Sequence, residues 1–375
     1  MKHLIYADNA ATTKLDIDAF EAMKPYLLEE YGNASQPYSF ARKPKQALKA
    51  AREIIASCIN ANPDEIYFTS GGTEADNWAI KGVVFNNFNN GAIITSQIEH
   101  HAVLRACESL EKLGCPVVYL PSNKEGVVTA DTLESVIANG TKLVSVMMVN
   151  NEIGTIQPIK ELCDIAHYHG ALFHTDAVQA VGHISIDVKA LGVDLLSASA
   201  HKFNGPKGVG FLYIKKGALI SPYANGGSQE FGMRAGTENV AAIVGMAVAL
   251  KNACDSLDTF HEGYEQLRSV FLDTLYDSGI DFILNGETFS VPNIISVSIK
   301  DASGETILHR LDLMGIAIST GSACDSVSDE LSHVVKAIGL CDEYAYGTIR
   351  ISFGKDNTIE DAINVAKAII KVVKG

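Results

Sequence analysis

No run of lysine or arginine interrupts a chain whose formal net charge is −14. A nucleic acid's phosphates would find no basic patch here, so direct nucleic-acid binding is not expected. The start, Met1-Lys-His-Leu-Ile-Tyr-Ala-Asp-Asn-Ala10, lacks the apolar segment of a secretory signal. No apolar stretch reaches bilayer-spanning length, Val240 to Leu250 being the best. A cytoplasmic location away from membranes is the expectation. Cysteine pairs of the C-x-x-C type are also missing: the 7 cysteines are odd in number and scattered. That argues against a disulfide framework or a zinc site, and for reduced thiols. Internal repeats and low-complexity tracts are absent as well.

What remains is the composition of an ordinary globular enzyme, 47% hydrophobic and 20% charged over 375 residues. That length suits two domains. From Ile66 to Ile214, short apolar runs of strand character alternate with helical periodicity. The pattern predicts an α/β fold, a mostly parallel central sheet covered by helices on both faces. Beyond the helix Asn239 to Asp255, longer helices mix with strands at Ile294 to Ile299, Ile316 to Ser319 and Thr348 to Ser352. Residues 15–258 read as a large domain. Residues 259–375, joined by the arm 1–14, read as a smaller α/β one.

The stretch Val193 to Lys202 organises the rest. A buried strand ends in small hydroxyl residues, then His201 and Lys202, then the turn Phe203-Asn-Gly-Pro-Lys-Gly208. Desolvating a lysine frees its neutral amine as a Schiff-base nucleophile or proton-transfer base. A strand-end lysine pointing into water fits the same residues. Gly71-Gly-Thr-Glu74 places glycines and a threonine at a helix start, either an anion site or an ordinary N-cap. Asp176 and Gln179 follow another apolar strand; an aspartate there can hold a cofactor's ring nitrogen protonated, or cap a helix. His100 and His101 follow a strand too, suited to stacking and proton transfer near neutral pH or to a loop contact. Val149-Asn-Asn-Glu-Ile-Gly154 is a polar turn fit to bind substrate or cofactor. Ser319 to Ser326 is a small-residue loop carrying Cys324, whose reactivity depends on forming the thiolate. Arg350, inside the β-like run Gly347 to Ser352, can clamp a carboxylate or sit in an internal salt bridge.

In order along nearly the whole chain, these segments resemble the class V aminotransferase family of pyridoxal-phosphate enzymes, specifically NifS/IscS-like cysteine desulfurases. The most specific pieces are Thr69 to Asp76, Glu99 to Val103, Asn150 to Pro158, His174 to Gln179, Ser199 to Gly208 and Gly232 to Thr237. The resemblance implies the PLP-dependent transferase fold type I, with pyridoxal 5'-phosphate as cofactor and no metal. It makes Lys202 the Schiff-base lysine, Asp176 the partner of the pyridine nitrogen, Gln179 that of the ring hydroxyl, and His100 the stacking residue. Gly72, Thr73, Ser199 and His201 match phosphate-binding positions, with Thr237 reaching the phosphate of a second subunit in a homodimer. Asn151 and Arg350 become the substrate-facing pair, Arg350 holding the amino-acid carboxylate. Cys324 becomes the persulfide carrier in a reaction that turns L-cysteine into L-alanine and hands sulfur to an acceptor protein, an iron–sulfur scaffold or a tRNA-thiolation protein. A selenocysteine lyase or amino-acid aminotransferase of the same fold is the alternative reading, and a catalytically silent sulfur carrier or scaffold partner the alternative of another class. The chain departs from the family at Tyr38, where histidine is usual, at Asn225-Gly-Gly-Ser228, and at Phe231, where arginine is usual. The tail after Arg350 is short, so scaffold docking through a C-terminal extension is not expected.

Overall fold

A computed structural model describes residues 4–86, 91–320 and 331–375. Its larger sheet has seven strands. From one edge the order is Ile66–Thr69, Gly210–Ile214, Leu195–Ser199, Leu172–Asp176, Leu143–Ser145, Ile93–Ser96 and Val117–Leu120. The last five pair in parallel, while Gly210–Ile214 runs antiparallel to both of its neighbours. The sheet is therefore mostly parallel.

Successive side chains on these strands enter different cores, as a period of two requires. Ile93, Leu143, Leu195 and Leu212 join one cluster with the helices Gly72–Asn86 and His101–Glu111. Ile94, Val144, Leu196 and Phe211 join the other with the helices Arg42–Cys58, Ile159–Tyr168 and Val240–Asp255. Both faces being covered, the strands read as nearly continuous apolar runs. The apolar run Lys142 to Val149 pairs as a strand only over Leu143–Ser145, since the chain leaves the ladder toward Asn150. There the Asn150 side chain accepts the Glu152 and Ile153 N–H groups at 2.9 and 3.0 Å and closes a turn.

A second sheet has four antiparallel strands in the order Ser319–Thr320, Thr348–Ser352, Ile294–Ile299, Phe282–Asn285. Phe282–Asn285 was not legible in the sequence because an edge strand this short gives too little alternation. The helices Leu257–Asp277, Gly304–Met314 and Ile359–Lys374 cover this sheet over a separate core. Ile5 and Ala7 of the N-terminal arm belong to that core, and Ile5–Tyr6 pairs in parallel with Ile316–Ala317. The arm then crosses back to the large sheet, where Thr13 N–H donates to His201 O at 2.9 Å. Among the described residues, no single helix is long and apolar enough to cross a membrane.

Candidate active site

Because the inner strands of the large sheet run in parallel, the loops after them open on one side. They carry His100, Met147 and Asn151, Asp176 to Gln179, and Ser199 to Lys202. The helix Gly72–Asn86 starts at the same place, and Ala10, Ala11 and Arg350 close the ring around a cavity of about 320 Å³. Ten of the residues singled out from the sequence line it: Gly72, Thr73, His100, Asn151, Asp176, Gln179, Ser199, His201, Lys202 and Arg350. A ligand-sized recess at the carboxyl ends of parallel strands is where an α/β sheet places its chemistry.

One end of the cavity suits an anion. The first turn of Gly72–Asn86 offers N–H groups that no helical carbonyl can reach, and the helix dipole adds to them. A side chain at position 72 could not fit, because a Cβ there would stand 2.6 Å from Val178 Cγ2. The Glu74 carboxylate in this turn is drawn away by Arg234, whose Nε donates to it at 2.9 Å. Burial, with help from Lys202 and Lys207, pushes His201 down to about 4, leaving a neutral imidazole beside Ser199.

The middle suits a flat ring with a protonated nitrogen. Asp176 is buried, and one of its oxygens accepts the Val178 N–H at 2.9 Å. Burial raises its pKa to about 6, and a cationic partner in the cavity would favour the carboxylate further. Behind it lies Asp76, raised well above the usual range by burial and then by Asp176. Its Oδ1 has no hydrogen-bond partner among the described residues and stands 3.7 Å from His174 Nε2. Burial lowers His174 to about 3, so its ring is neutral and this contact is not an ion pair. Ser145 and Ser197 hold the His174 ring at 2.8 and 2.9 Å. Across the cavity, His100 caps its helix by accepting the Ala102 N–H on Nδ1 at 3.1 Å. Burial first, then Lys202, depresses its pKa to about 4, and the neutral ring therefore carries its proton on Nε2. The Lys202 ammonium donates to Ala10 O at 2.6 Å and Ala11 O at 2.9 Å, while Gln179 Nε2 donates to Ala10 O at 2.8 Å. The arm that closes the cavity thus also holds the lysine.

The far end suits a carboxylate. Arg350 is 4% exposed and donates through Nη1 to Asn151 O and through Nη2 to Asp8 Oδ1, both at 2.7 Å. Its Nε is buried without a partner among the described residues.

Cys324 lies outside the described residues. The chain on either side of that segment does not. Ser319 pairs with Arg350 across the small sheet. Ser332 donates to Glu152 at 2.5 Å, and the His333 ring bonds Glu99 O at 2.8 Å and lies 4.8 Å from the His101 ring. These flanking residues therefore touch elements that build the cavity. Thr237 is not in the cavity; it lines a separate recess with Ser70, Gly208 and Arg234. Sequence reasoning assigned no role to Asp76 or to Asp8, the partner of Arg350. Asp76 had one readable signal, a charge among the apolar positions on the inward face of its helix.

The chain matches the family described as Aminotransferase class-V over residues 5–365. It is 50% identical to a protein of Dictyoglomus turgidum named Cysteine desulfurase IscS, over 100% of this chain and 96% of that one. A solved NifS-like protein superposes with a TM-score of 0.93 at 38% identity, covering 99% of this chain and 100% of its own. The structure of SspA in complex with cysteine does so with a TM-score of 0.83 at 36% identity, covering 94% and 99%.

Proposed function

The chain belongs to the aminotransferase class-V family, and from that membership we propose that it is a pyridoxal-phosphate-dependent cysteine desulfurase, converting L-cysteine to L-alanine with the sulfur held as a persulfide on Cys324. The observation that carries the reading is the single cavity in which an anion cradle, a buried acid, a lysine and an unsatisfied arginine follow one another.

The donor set fits the cofactor. The helix start at Gly72 and Thr73, with Ser199 and His201, would hold its phosphate; Asp176 its ring nitrogen; Gln179 its hydroxyl; His100 one face of its ring; and Lys202 its aldehyde carbon. When bound, pyridoxal phosphate supplies an electron sink for negative charge developing at the substrate's α-carbon.

The chain's own residues do the rest. Arg350 receives the substrate carboxylate on its unpartnered Nε edge, and Asn151 steadies that end. Asp8 and Asn151 O hold the guanidinium so that little ordering remains to be done on binding. Lys202 Nζ, once released, takes the α-proton and later returns one. His100 carries a proton on Nε2 at neutral pH and can deliver it to substrate beside the ring. Cys324 receives the sulfur.

Three finer assignments belong to the same reading. The persulfide passes to an acceptor protein, an iron–sulfur scaffold or a tRNA-thiolation protein. Two chains form a homodimer, which gives Thr237 a role at the second copy's phosphate that its separate recess does not offer within one copy. The enzyme works in the cytoplasm, where scattered thiols stay reduced.

The test is the absorbance of the purified protein before and after L-cysteine, with alanine and sulfide assayed alongside. A visible cofactor band that shifts, with alanine formed by the wild type and lost in Cys324→Ala, supports the proposal. A band with no alanine from L-cysteine, but turnover of selenocysteine or transamination, moves the reading to the sister activities. Protein that stays colourless after cofactor is supplied refutes the enzyme reading.

A further inference from the structure

We propose that His183 is a positioning residue for Lys202, tying the turn that carries the lysine to the turn that follows Asp176 and Gln179. The inference rests on the role given to Lys202 above. His183 Nε2 lies 2.9 Å from Lys202 O. A carbonyl oxygen only accepts, so the ring carries its proton on Nε2 and donates. Burial holds the His183 pKa below its ordinary value, which favours the neutral ring. His183 does not line the cavity, so its influence on the chemistry runs through Lys202.

The sheet fixes these two turns only up to the ends of their strands. Leu172–Asp176 and Leu195–Ser199 pair in parallel with Asp176 opposite Ser197, and the Ala177 N–H still donates to Ser197 O at 3.0 Å. Beyond that point both chains leave the ladder. Yet Asp176 and Lys202 are the groups assigned to opposite ends of the cofactor ring, its nitrogen and its aldehyde carbon. Their separation therefore needs a tie outside the sheet.

The carbonyls of the lysine turn show where that tie comes from. Ala200 O accepts the Phe203 and Gly205 N–H groups at 3.1 and 2.8 Å, from within the turn. His201 O accepts from Thr13 of the N-terminal arm, through N–H at 2.9 Å and Oγ1 at 2.8 Å. Lys202 O accepts from His183, which reaches across from the neighbouring turn. Close packing supports this last contact. Gly182 has a φ of 80°, and a Cβ there would stand 2.7 Å from Phe203 Cβ, in the residue after the lysine. Lys202 Nζ has to move between the arm's carbonyls and the cavity. A side chain that swings delivers its proton accurately only from a backbone that stays put. The consequence falls on the lysine's chemistry and not on binding, because Arg350 and the helix start at Gly72 hold their ends without His183.

The experiment compares His183→Phe, which keeps a ring and removes the donor, with His183→Gln, whose Nε2 can donate to the same carbonyl. His183→Leu is made alongside as a smaller apolar variant. Borohydride reduction of each cofactor-loaded protein, followed by peptide mapping, locates the lysine that holds the cofactor; thermal melting and equilibrium dialysis check folding and load. With the adduct on Lys202, the apolar variants should lose about 3- to 10-fold in kcat for alanine formation, as one hydrogen bond implies, with KM within about twofold. The pH midpoint at which the visible band of the substrate-free protein changes should also move, because it reports how the lysine nitrogen is aligned with the ring. His183→Gln should bring both readings back toward wild type. An adduct on another residue in the wild type would refute the reading of Lys202, and this inference with it. With the adduct on Lys202, the role of His183 alone would be overturned by either of two results: wild-type kcat and band midpoint in a folded apolar variant, or a His183→Gln no better than His183→Phe.

Discussion

Replacing Arg350 with lysine tests the carboxylate end of the cavity most directly. Lysine keeps a positive charge near Asp8, so that carboxylate keeps a cationic partner. What it loses is the planar fork, including the Nε that the fold leaves unpartnered. Hydrogen bonds to charged groups contribute about 1.5–3 kcal/mol each. At about 1.4 kcal/mol per tenfold, one lost bond lowers kcat/KM for L-cysteine by roughly 10- to 150-fold. The carboxylate does not change during the reaction, so most of the loss should be in KM, with kcat altered much less. The assay is steady-state alanine formation, run beside thermal melting and a measurement of bound cofactor. If kcat/KM stays within about threefold of wild type in folded, cofactor-loaded Arg350→Lys, a 10-fold loss is excluded and Arg350 is not the clamp.

Three other changes probe separate parts of the argument. Glu230 receives a bidentate pair from Arg52 at 2.7 and 3.0 Å and the Phe68 N–H at 2.8 Å, all in or beside the core. Glu230→Ala strands that cation and should cost about 3–5 kcal/mol by denaturant unfolding; a loss below about 1 kcal/mol would contradict its being a buried pair. Burial raises the Glu99 pKa from the ordinary 4.5 to about 8, so the native state holds this proton more tightly than the unfolded chain. Its stabilising contribution is complete below pH 4.5 and is lost as pH rises to 8. Glu99→Gln keeps an oxygen for the Ser96 hydroxyl and the Met147 N–H. It should flatten wild type's fall in stability over that range, and an unchanged slope would rule out a protonated Glu99. Finally, Gly72→Ala drives a methyl into Val178 and should lower cofactor affinity, measured by equilibrium dialysis, because overpacking costs about 1–3 kcal/mol. Val178→Ala in the same chain should restore part of it, and no restoration would place the defect elsewhere.

Much of the site was legible because a parallel sheet imposes a simple rule. Residues that follow apolar strands gather at one edge, so small and polar residues after Ser96, Ser145, Asp176 and Ser199 could be read as neighbours without knowing the strand order. Arg350 was a different case. It reaches the cavity from the small sheet, and only the family pattern, not the local sequence, pointed there. Asp8, Asp76 and Glu99 show the limit. Asp76 and Glu99 owe their behaviour to burial and Asp8 its role to Arg350, 342 residues away, and neither is encoded in neighbouring residues.

By itself, the sequence determined the local elements, the two-sided burial of the large sheet and the order of the chemical groups, because periodicity and turn chemistry act over a few residues. Tertiary structure alone decided which groups meet. It placed the carbonyls of the N-terminal arm on Lys202. It set Thr237 in a recess apart from the cavity. It also depressed His100 while raising Asp176, since desolvation depends on everything packed around a group and not on the residues beside it in the chain.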